Sequence, residues 1–433
     1  MKKIKTTVTL AVITLLSACN NVQKETKQIP TATLISSEKF YFNSFVDCNM
    51  AEAWIGDTFR IFPGKYGEDP VWGAANDLKF ANGKNADEAF SATKDAFINP
   101  VMPLNAKPGE AGLHGAVWFE TIYQDKKDAG GKTLYAVYHN ENYPATLPYN
   151  AATGEGYIDK KWPQGLTDLG SAAAVCRIGI MKSTDGGRSW INKGIFIEDL
   201  QPRMILKPHN TSVTFAGGVG DPSAVVSGNY LYLFYGEYGY KGSYDSATYN
   251  PGTEWSGQCI SIARISLDDL DNPEGKAKRW DGKSFNAVYN GIGEPVASLQ
   301  IPMDAGGGPA SKAGSKFHWG PSVSWNTYLN CWVMMMAMSQ GIKWEGGSIW
   351  ISYNLNKDLG ENDNAQQWSK PQMLLNKPGH IIWYPSLQPT SNSFDVENKN
   401  TCLQLGQEAR LFYKDMHGDS SEYVSEYKIR FEK

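Results

Sequence analysis

The chain of 433 residues carries 41 Lys and Arg against 45 Asp and Glu, and its formal net charge at neutral pH is −4. This weak acidity excludes the basic surface with which a protein neutralises the phosphates of nucleic acid. Hydrophobic residues make up 41% of the sequence and 43 residues are glycine, which indicates a folded, turn-rich protein with a sizeable core.

The first residues have the organisation of an export signal. A basic stretch at residues 2–5 precedes an apolar run at 8–16, which is too short to span a bilayer. The run ends in Leu-Ser-Ala-Cys at residues 16–19, and this tetrapeptide resembles the lipobox of bacterial lipoproteins. The resemblance implies a signal peptide at 1–18 and a lipidated Cys19 that anchors the protein in the cell envelope.

The segment after the signal is polar, so we expect residues 19–38 to form the lipidated cysteine and a flexible tether. Asn20 rather than an aspartate follows the cysteine, which favours the outer membrane or the cell surface of a Gram-negative organism. The remaining residues, 39–433, are predicted to form one domain.

The five further cysteines show no C-x-x-C spacing, so we expect no metal knuckle and interpret most of them as small buried apolar residues. They are Cys48, Cys176, Cys259, Cys331 and Cys402.

Short runs rich in Val, Ile, Tyr, Phe and Trp alternate with Gly, Asn, Asp and Pro clusters throughout the domain, which is typical of an all-β protein. Five pairs of such runs recur at roughly 84 residues on average and predict a single five-bladed β-propeller with four-stranded antiparallel blades. The pairs are 47–50 with 53–56, 114–118 with 134–138, 220–226 with 230–236, 319–325 with 332–336, and 383–387 with 409–413.

A second repeat predicts the outer strands, each followed by a polar hairpin and a tryptophan. Its copies lie at 178–190, at 259–268 before Trp280, and at 348–354 before Trp368. The first copy contains Ser-x-Asp-x-Gly-x-Ser-Trp at 183–190, which resembles the Asp-box of sialidases and related propellers. The resemblance implies a structural turn in which the aspartate accepts backbone N–H groups, and no catalytic role.

The innermost strands of a propeller begin at the mouth of its central funnel, so the residues that open each repeat should converge on one site. Those residues are Asp47, His114, Asp221, His318 with Trp319, and His380 with Tyr384.

Two motifs resemble those of five-bladed glycoside hydrolases such as arabinanases, β-xylosidases and arabinofuranosidases. One is Gly-Asp-Pro-Ser at 220–223 before an apolar strand, and the other is Ala-Trp-Ile-Gly-Asp-Thr-Phe at 53–59. The resemblance implies acid/base hydrolysis of a glycan, with Asp47 as the base, Asp57 as its rival, and Asp221 as the aspartate that tunes and orients. Such a reaction needs one ionised carboxylate and one carboxyl group that keeps its proton.

The fourth blade departs from the family pattern, because Phe-His-Trp-Gly-Pro at 317–321 stands where the family has Glu-Gly-Pro. His318 is a substitute acid, since a protonated imidazole can donate a proton near neutral pH. Glu141 and Glu237 are the alternatives. The departure is also compatible with lost catalysis.

The remaining predicted contacts are with the glycan. Trp319, Trp383 and Tyr384 offer aromatic faces for the C–H surfaces of sugar rings, and His114 and His139 offer polar contacts. No cofactor is required. Some relatives hold a calcium ion in the central channel, but the sequence has no acidic calcium-loop pattern, so a structural Ca²⁺ stays only an option.

Two other functions fit the same sequence. Phe-Arg-Ile-Phe at 59–62 resembles the sialidase segment whose arginine grips a substrate carboxylate, which would give that role to Arg60, although the family's proline is missing. A non-catalytic glycan-binding lipoprotein would use the same funnel without chemistry, and the missing Glu-Gly-Pro glutamate favours it. Asp221→Asn separates the two classes, because it would abolish turnover by an enzyme and leave a lectin's affinity largely intact.

Overall fold

The computed structural model of the protein describes most of the chain from Gln28 onward. The predicted signal peptide, Cys19, His114 and Cys402 lie outside the described residues. The described residues are 28–42, 46–69, 73–74, 78–91, 97–104, 113, 115–142, 175–198, 218–238, 259–307, 314–341, 344–361, 363–390 and 404–433.

Strands dominate the described residues, with one short α-helix, α1 (Ala86–Phe90), that Asn85 caps by accepting from the Glu88 backbone N–H. Short 3-10 helices lie at Leu267–Asp269, Ala297–Leu299, Met303–Ala305 and Asn364–Gln366. The strands are β1 (Thr31–Phe42), β2 (Glu52–Ile55), β3 (Thr58–Ile61), β4 (Lys65–Tyr66), β5 (Glu68–Asp69), β6 (Gly73–Ala74), β7 (Ala81–Gly83), β8 (Ala116–Gln124), β9 (Leu134–Asn142), β10 (Val175–Ser183), β11 (Ile191–Ile197), β12 (Val219–Ser227), β13 (Tyr230–Glu237), β14 (Cys259–Ser266), β15 (Lys278–Arg279), β16 (Ala287–Val288), β17 (Lys316–Asn326), β18 (Cys331–Gln340), β19 (Glu345–Asn354), β20 (Gln372–Asn376), β21 (Ile381–Pro389), β22 (Gln404–Leu405), β23 (Glu408–His417) and β24 (Ser420–Glu432).

Five sheets form the blades, and β5 and β6 pair as a separate ribbon. Blade 1 has the order β2-β3-β7, blade 2 β4-β8-β9-β10-β11, blade 3 β12 to β16, blade 4 β22-β17-β18-β19-β20, and blade 5 β21-β23-β24-β1. Strands β8, β12, β17 and β21 contact one another in turn, and β2 contacts β8, so these five are the inner strands. The predicted five-bladed all-β propeller is confirmed. The blades carry three to five strands in the described residues, where four each were predicted.

The first blade begins later than predicted. Residues 47–50 form no strand, and the inner strand β2 instead pairs with β3 through the turn at Gly56 and Asp57. Residues 47–50 do not extend the sheet because the Asn49 N–H donates to the Glu120 carboxylate of blade 2 at 2.8 Å and not to a neighbouring strand. Residues 47–50 therefore lead into the blade along the axis.

The propeller is closed by strand β1, which moves the start of the domain ahead of the predicted residue 39, while residues 19–27 of the predicted tether lie outside the described residues. Strand β1 pairs antiparallel with β24 of blade 5 over most of its length, so residues 31–38 belong to the fold. The strand escaped recognition because it lies at a sheet edge: Thr31 and Thr33 are exposed, while Ala32 and Leu34 pack partly buried on the core. A half-exposed edge strand has too few apolar residues to stand out from a polar segment.

The inner strands of blades 3, 4 and 5 share one backbone irregularity. Each strand shifts register around an x-Pro-Ser tripeptide, with Asp-Pro-Ser in blade 3, Gly-Pro-Ser in blade 4 and Tyr-Pro-Ser in blade 5. The first residue of each tripeptide has a left-handed backbone, with φ of 49° at Asp221, 57° at Gly320 and 51° at Tyr384. Blade 2 shifts register at Glu120, between Phe119 and Thr121. The bulges of blades 2, 3 and 5 redirect the side chains of Glu120, Asp221 and Tyr384, while the bulge of blade 4 carries only Gly320.

The same bulges connect neighbouring blades. The Thr121 hydroxyl of blade 2 accepts from the Ala224 N–H of blade 3 at 3.2 Å, and the Ser223 hydroxyl of blade 3 accepts from the Val323 N–H of blade 4 at 2.9 Å. All nine residues of β8 are buried, because other blades cover both of its faces. The bulge residues are therefore held on a rigid, fully packed inner ring.

The hairpin after β10 has the structural contacts predicted for its turn. Asp185 accepts from the backbone N–H groups of Arg188 and Ser189 at 2.9 Å each, and Gly186 and Gly187 have φ of 77° and 88°. The Trp190 indole is buried and donates to the Gly187 carbonyl at 3.1 Å. Among the described residues, no helix is long and apolar enough to cross a membrane.

Candidate active site in the propeller funnel

Asp221 lies at the centre of a buried polar cluster at the propeller axis. Its carboxylate accepts a hydrogen bond from the Tyr384 hydroxyl at 3.2 Å and another from the Tyr238 hydroxyl. The His139 Nδ1 atom lies 3.3 Å from the Asp221 carboxylate. The left-handed backbone of Asp221 is unusual for a residue other than glycine, and such conformations persist where surrounding structure enforces them, often at functional sites.

Glu120 of blade 2 lies beside Asp221 and is the cluster member that the sequence prediction missed. Its Oε2 accepts from the Asn49 N–H, and its Oε1 lies 3.9 Å from His139 Nδ1. Burial, and next the charge of Asp221, raise the pKa of Glu120 well above its ordinary value, and the bonds from Asn49 oppose them only in part. Burial and the neighbouring charge therefore favour the protonated form of the Glu120 carboxyl group.

His139 of β9 lies between the two acids. Burial opposes its charged form, but the hydrogen bond and charge of Asp221, with Glu141 and Asp47 adding to it, outweigh burial and raise the pKa of His139. Its Nε2 atom is buried without a hydrogen-bond partner in the described structure, as is Glu120 Oε1. Unpaired buried polar atoms are destabilising, so this cluster is not optimised for stability alone.

Asp47 forms the more accessible part of the site. Its carboxylate accepts from the Lys414 ammonium at 2.7 Å, and its side chain keeps 23% exposure while that of Lys414 keeps 4%. Lys414 also lies 5.2 Å above the centre of the Trp383 ring. This ion pair fixes the Asp47 carboxylate at the edge of the cluster, where solvent can reach it.

An aromatic group that we call the aromatic wall borders the cluster on the side of blades 4 and 5. Trp319 stacks on Trp344 with 5.1 Å between ring centres, and Trp383 and Tyr384 meet Trp319 edge to face. Trp319 is fully buried, whereas Trp383 and Tyr238 remain partly exposed. Trp383 is thus the member of the aromatic wall that remains partly exposed.

Four predicted site residues are therefore brought together: Asp47, His139, Asp221 and Tyr384. Glu141 lies near them at the end of β9, since its charge acts on both His139 and the buried Cys176 thiol. Cys48, Cys176, Cys259 and Cys331 are all buried, as predicted, and these four described cysteines are unbridged.

His318 is directed elsewhere. Its Nδ1 lies 2.7 Å from the Leu299 carbonyl and its ring packs on Trp350, both at the junction of blades 3 and 4. Burial lowers the pKa of His318 to about 4, against a small opposing contribution from the Leu299 carbonyl. A histidine that is neutral above pH 4 is poorly suited to protonate a leaving group, so this geometry does not favour His318 as the acid.

Glu237 and His380 are also held in other contacts. Glu237 is completely buried in an ion pair with Arg279, out of reach of a ligand. His380 contacts Asp415 at 2.7 Å and stacks on His417 in blade 5.

Asp57 and Arg60 belong to the end of blade 1 that points away from the cluster. Asp57 is exposed in the turn between β2 and β3. Arg60 is buried, donates to Asn82 and to the Gly186 carbonyl, and lies over the Phe80 ring. Arg60 therefore connects blade 1 to the Asp185 turn. It does not take the substrate-binding position that the predicted sialidase function gave to it.

The same cluster brings together three side chains that could ligate a metal ion. Glu120, His139 and Asp221 each offer one ligand atom within 4.8 Å of the others. Ca²⁺ takes about six to eight oxygen ligands, whereas these residues supply two carboxylates and an imidazole, and Asp221 already accepts from two tyrosines. The described residues therefore fit Ca²⁺ poorly.

No family model and no curated protein matches the sequence. Solved structures with a similar fold include an α-L-arabinofuranosidase from Lactobacillus brevis, at 10% identity and a TM-score of 0.44 over 89% of this chain and 92% of that chain. The arabinanase of Bacillus subtilis has 8% identity and a TM-score of 0.42 over 90% and 95%. The catalytic domain of a GH62 α-L-arabinofuranosidase from Coprinopsis cinerea has 11% identity and a TM-score of 0.40 over 93% and 96%. At these identities the likeness concerns the fold alone.

Proposed function

We propose that the protein is a glycoside hydrolase in which Glu120 is the general acid, Asp47 the general base and Asp221 the residue that tunes the acid. One observation carries the proposal: the two carboxyl groups have opposite environments. Burial and the neighbouring Asp221 raise the pKa of Glu120, whereas Asp47 is partly exposed and paired with Lys414. Environments that separate two carboxyl groups in this way assign the acid and the base.

In the proposed reaction, Glu120 donates its proton to the glycosidic oxygen as the bond to the sugar breaks. Asp47 removes a proton from the water that attacks the sugar carbon. Burial, and next the charge of Asp221, favour the protonated form of Glu120 between turnovers, and the hydroxyl groups of Tyr238 and Tyr384 donate to the Asp221 carboxylate. The acid is thus supplied by blade 2, while the blade 4 bulge carries only Gly320.

The aromatic wall supplies the binding part of the site. Trp383 is partly exposed and fixed by a hydrogen bond from its indole to the Trp344 carbonyl at 2.9 Å. A rigid indole face of this kind suits the apolar C–H surface of a sugar ring. We infer that a neutral sugar residue stacks on Trp383 next to Asp47.

A non-catalytic glycan-binding protein is the second candidate, and the burial of the cluster favours it. Glu120, His139 and Asp221 expose no more than 3% of their surface, so a ligand could stack on Trp383 without touching the acid. Both candidates use the same funnel and differ only in turnover.

The deciding experiment measures reducing-sugar release by the purified protein from arabinan, xylan, galactan, algal and sialylated polysaccharides. Arabinan is included because the Asp-Pro-Ser motif resembles that of arabinanases. Release that is lost in Glu120→Gln and Asp47→Asn, with unchanged thermal unfolding, would support the hydrolase. Binding without release in the native chain would replace it with the glycan-binding function.

We further propose that Cys19 anchors the protein in the cell envelope, at the outer membrane or the cell surface. The proposal rests on the sequence at residues 16–19. Incorporation of labelled fatty acid into the native chain, and none into Cys19→Ser, is the expected result. Equal partitioning of both chains into the soluble fraction would contradict it.

A further inference from the structure

A cleft of about 740 Å³ lies between blades 3 and 4, and it is distinct from the funnel. It is lined by the hairpin turns that end β12 and β17, at Ser227, Gly228 and Asn330. Asp221 and Ser227 are six residues apart on β12, which places the cleft roughly 20 Å from the acidic cluster at about 3.3 Å per residue. The cleft therefore opens on the face of the propeller opposite the funnel.

The floor of the cleft is an aromatic pair. Trp325 and Trp332 meet edge to face with 5.0 Å between ring centres. Trp332 is buried, and its indole donates to the Lys357 carbonyl at 3.2 Å, so it acts as a support. Trp325 is only partly buried and lines the cleft.

The wall of the cleft is fixed before any ligand arrives. The Ser227 hydroxyl donates to Asp358 at 3.2 Å and accepts from the Leu359 N–H at 3.0 Å. Asn364 donates to the Asp358 carbonyl at 2.8 Å, and Asn356 donates to Gln367 at 3.1 Å. A wall held by such contacts loses little conformational entropy on binding.

The polar lining selects the class of ligand. Its charged residues are Lys126 and Lys357 against Asp358 and Glu361, so the described lining has no net charge. Carboxamides from Asn330, Asn356, Asn364 and Gln404 complete it. Carboxamides both donate and accept hydrogen bonds, which matches sugar hydroxyls, and a balanced lining gives an anionic ligand no advantage.

We propose that this cleft binds a neutral oligosaccharide at a site separate from the funnel. An aromatic face, carboxamides and no net charge are the features that recognise a chain of uncharged sugars. The volume falls within the roughly 300–1,000 Å³ of small-molecule sites. The site does not depend on turnover in the funnel and would hold a polymer against the protein whether or not the funnel is catalytic.

The test is calorimetric titration of the full chain with xylohexaose, cellohexaose, arabinohexaose and galactohexaose, and with a heparin hexasaccharide as the anionic comparison. Trp325→Ala is compared with Trp383→Ala in the funnel. Trp350→Ala is the matched control, because Trp350 is a partly buried tryptophan of the same blade that does not line the cleft. Asn356→Ala tests the cleft again if Trp325→Ala unfolds.

We expect at least one neutral hexasaccharide to bind, with a Kd raised tenfold or more by Trp325→Ala and by Asn356→Ala. Trp350→Ala should leave that Kd unchanged, and Trp325→Ala should leave turnover of a short soluble substrate unchanged. Three results would overturn the proposal: no neutral hexasaccharide binds, the heparin hexasaccharide binds more tightly, or only Trp383→Ala weakens binding.

Discussion

Two buried groups of charged side chains in the described part of the propeller differ in how their charge is balanced. In blade 3, Glu237 and Arg279 are both fully buried as an ion pair, with further bonds between Arg279 and the Tyr235 hydroxyl and between Glu237 and the Gly293 N–H. At the axis, Glu120 and Asp221 are two neighbouring acids that share one histidine and leave polar atoms unpaired. A balanced pair is what a structural role requires, whereas crowded acids with shifted pKa values are typical of a functional site.

The largest expected effect is the loss of turnover in Asp221→Asn, which changes the acidic cluster at the axis and not the ion pair of blade 3. The substitution removes the charge that helps keep Glu120 protonated but keeps the hydrogen-bonding shape, and asparagine tolerates the left-handed backbone as well as aspartate does. General acid catalysis contributes about 10²- to 10⁴-fold, so kcat on the active polysaccharide should fall by that order. Unfolding by urea should be nearly unchanged.

The matched control for that variant removes a charge from the balanced pair. Glu237→Gln should lower stability and leave kcat unchanged for the fraction that remains folded. If Glu237→Gln lost turnover as completely as Asp221→Asn while still folded, the division between a structural and a functional group would be wrong.

The next largest effect is on stability and is confined to the balanced pair. Arg279→Met leaves the Glu237 charge buried without its partner, which should lower the free energy of unfolding by about 3–5 kcal/mol. Urea denaturation followed by tryptophan fluorescence measures this change. In the double variant with Glu237→Leu the loss should be smaller, because no uncompensated charge remains. A double variant that is less stable than Arg279→Met would contradict the argument.

The third expected effect is a pH dependence of stability that arises from Glu120 in the acidic cluster. Glu120 has a pKa raised above its ordinary value of 4.5 by burial and by Asp221, so its contribution to stability is complete below pH 4.5 and is lost as the pH rises toward the raised value. In Glu120→Gln this loss disappears, at most about 1.4 kcal/mol per pH unit. Urea midpoints measured between pH 5 and 9 should therefore fall less steeply in the variant.

Glu52→Gln is the control for that measurement. Burial likewise raises the pKa of Glu52, against an opposing bond to Gln388, so the same flattening with pH is expected. Turnover should be retained, because Glu52 is not in the cluster. Loss of turnover in both variants would mean that buried carboxyl groups in general, rather than Glu120 in particular, sustain the activity.

The contrast between Asp221 and Glu120 also shows how far the sequence can predict this site. Asp221 was found because Asp-Pro-Ser is a short motif before an apolar strand, and the same x-Pro-Ser spacing marks the bulges of blades 4 and 5. Glu120 was missed because blade 2 has Glu-Thr without the proline, so its repeat was aligned on the residues before Ala116. A lone carboxylate inside an otherwise apolar strand was the available signal.

The remaining site residues follow from long-range packing, which local patterns do not encode. Lys414 reaches Asp47 across 367 positions of sequence, and Tyr384 reaches Asp221 across 163. The repeats predicted five blades but not which side of each inner strand would face the axis. His318 illustrates this, because it opens its repeat but contacts Leu299 and Trp350 at the junction of blades 3 and 4 instead of the axis.

The smallest expected effect is that of His318→Asn on turnover, which should be none. The asparagine amide can still donate to the Leu299 carbonyl, as the imidazole Nδ1 does, so the junction of blades 3 and 4 is kept. The pKa of His318 is lowered by burial to about 4, so its contribution to stability is complete above its ordinary value of 6.5 and is lost as the pH falls toward 4. The variant should therefore be less sensitive to acid than the native chain while its pH profile of kcat stays the same. A profile that lost its alkaline limb in His318→Asn would return the role of the acid to blade 4 and remove it from Glu120.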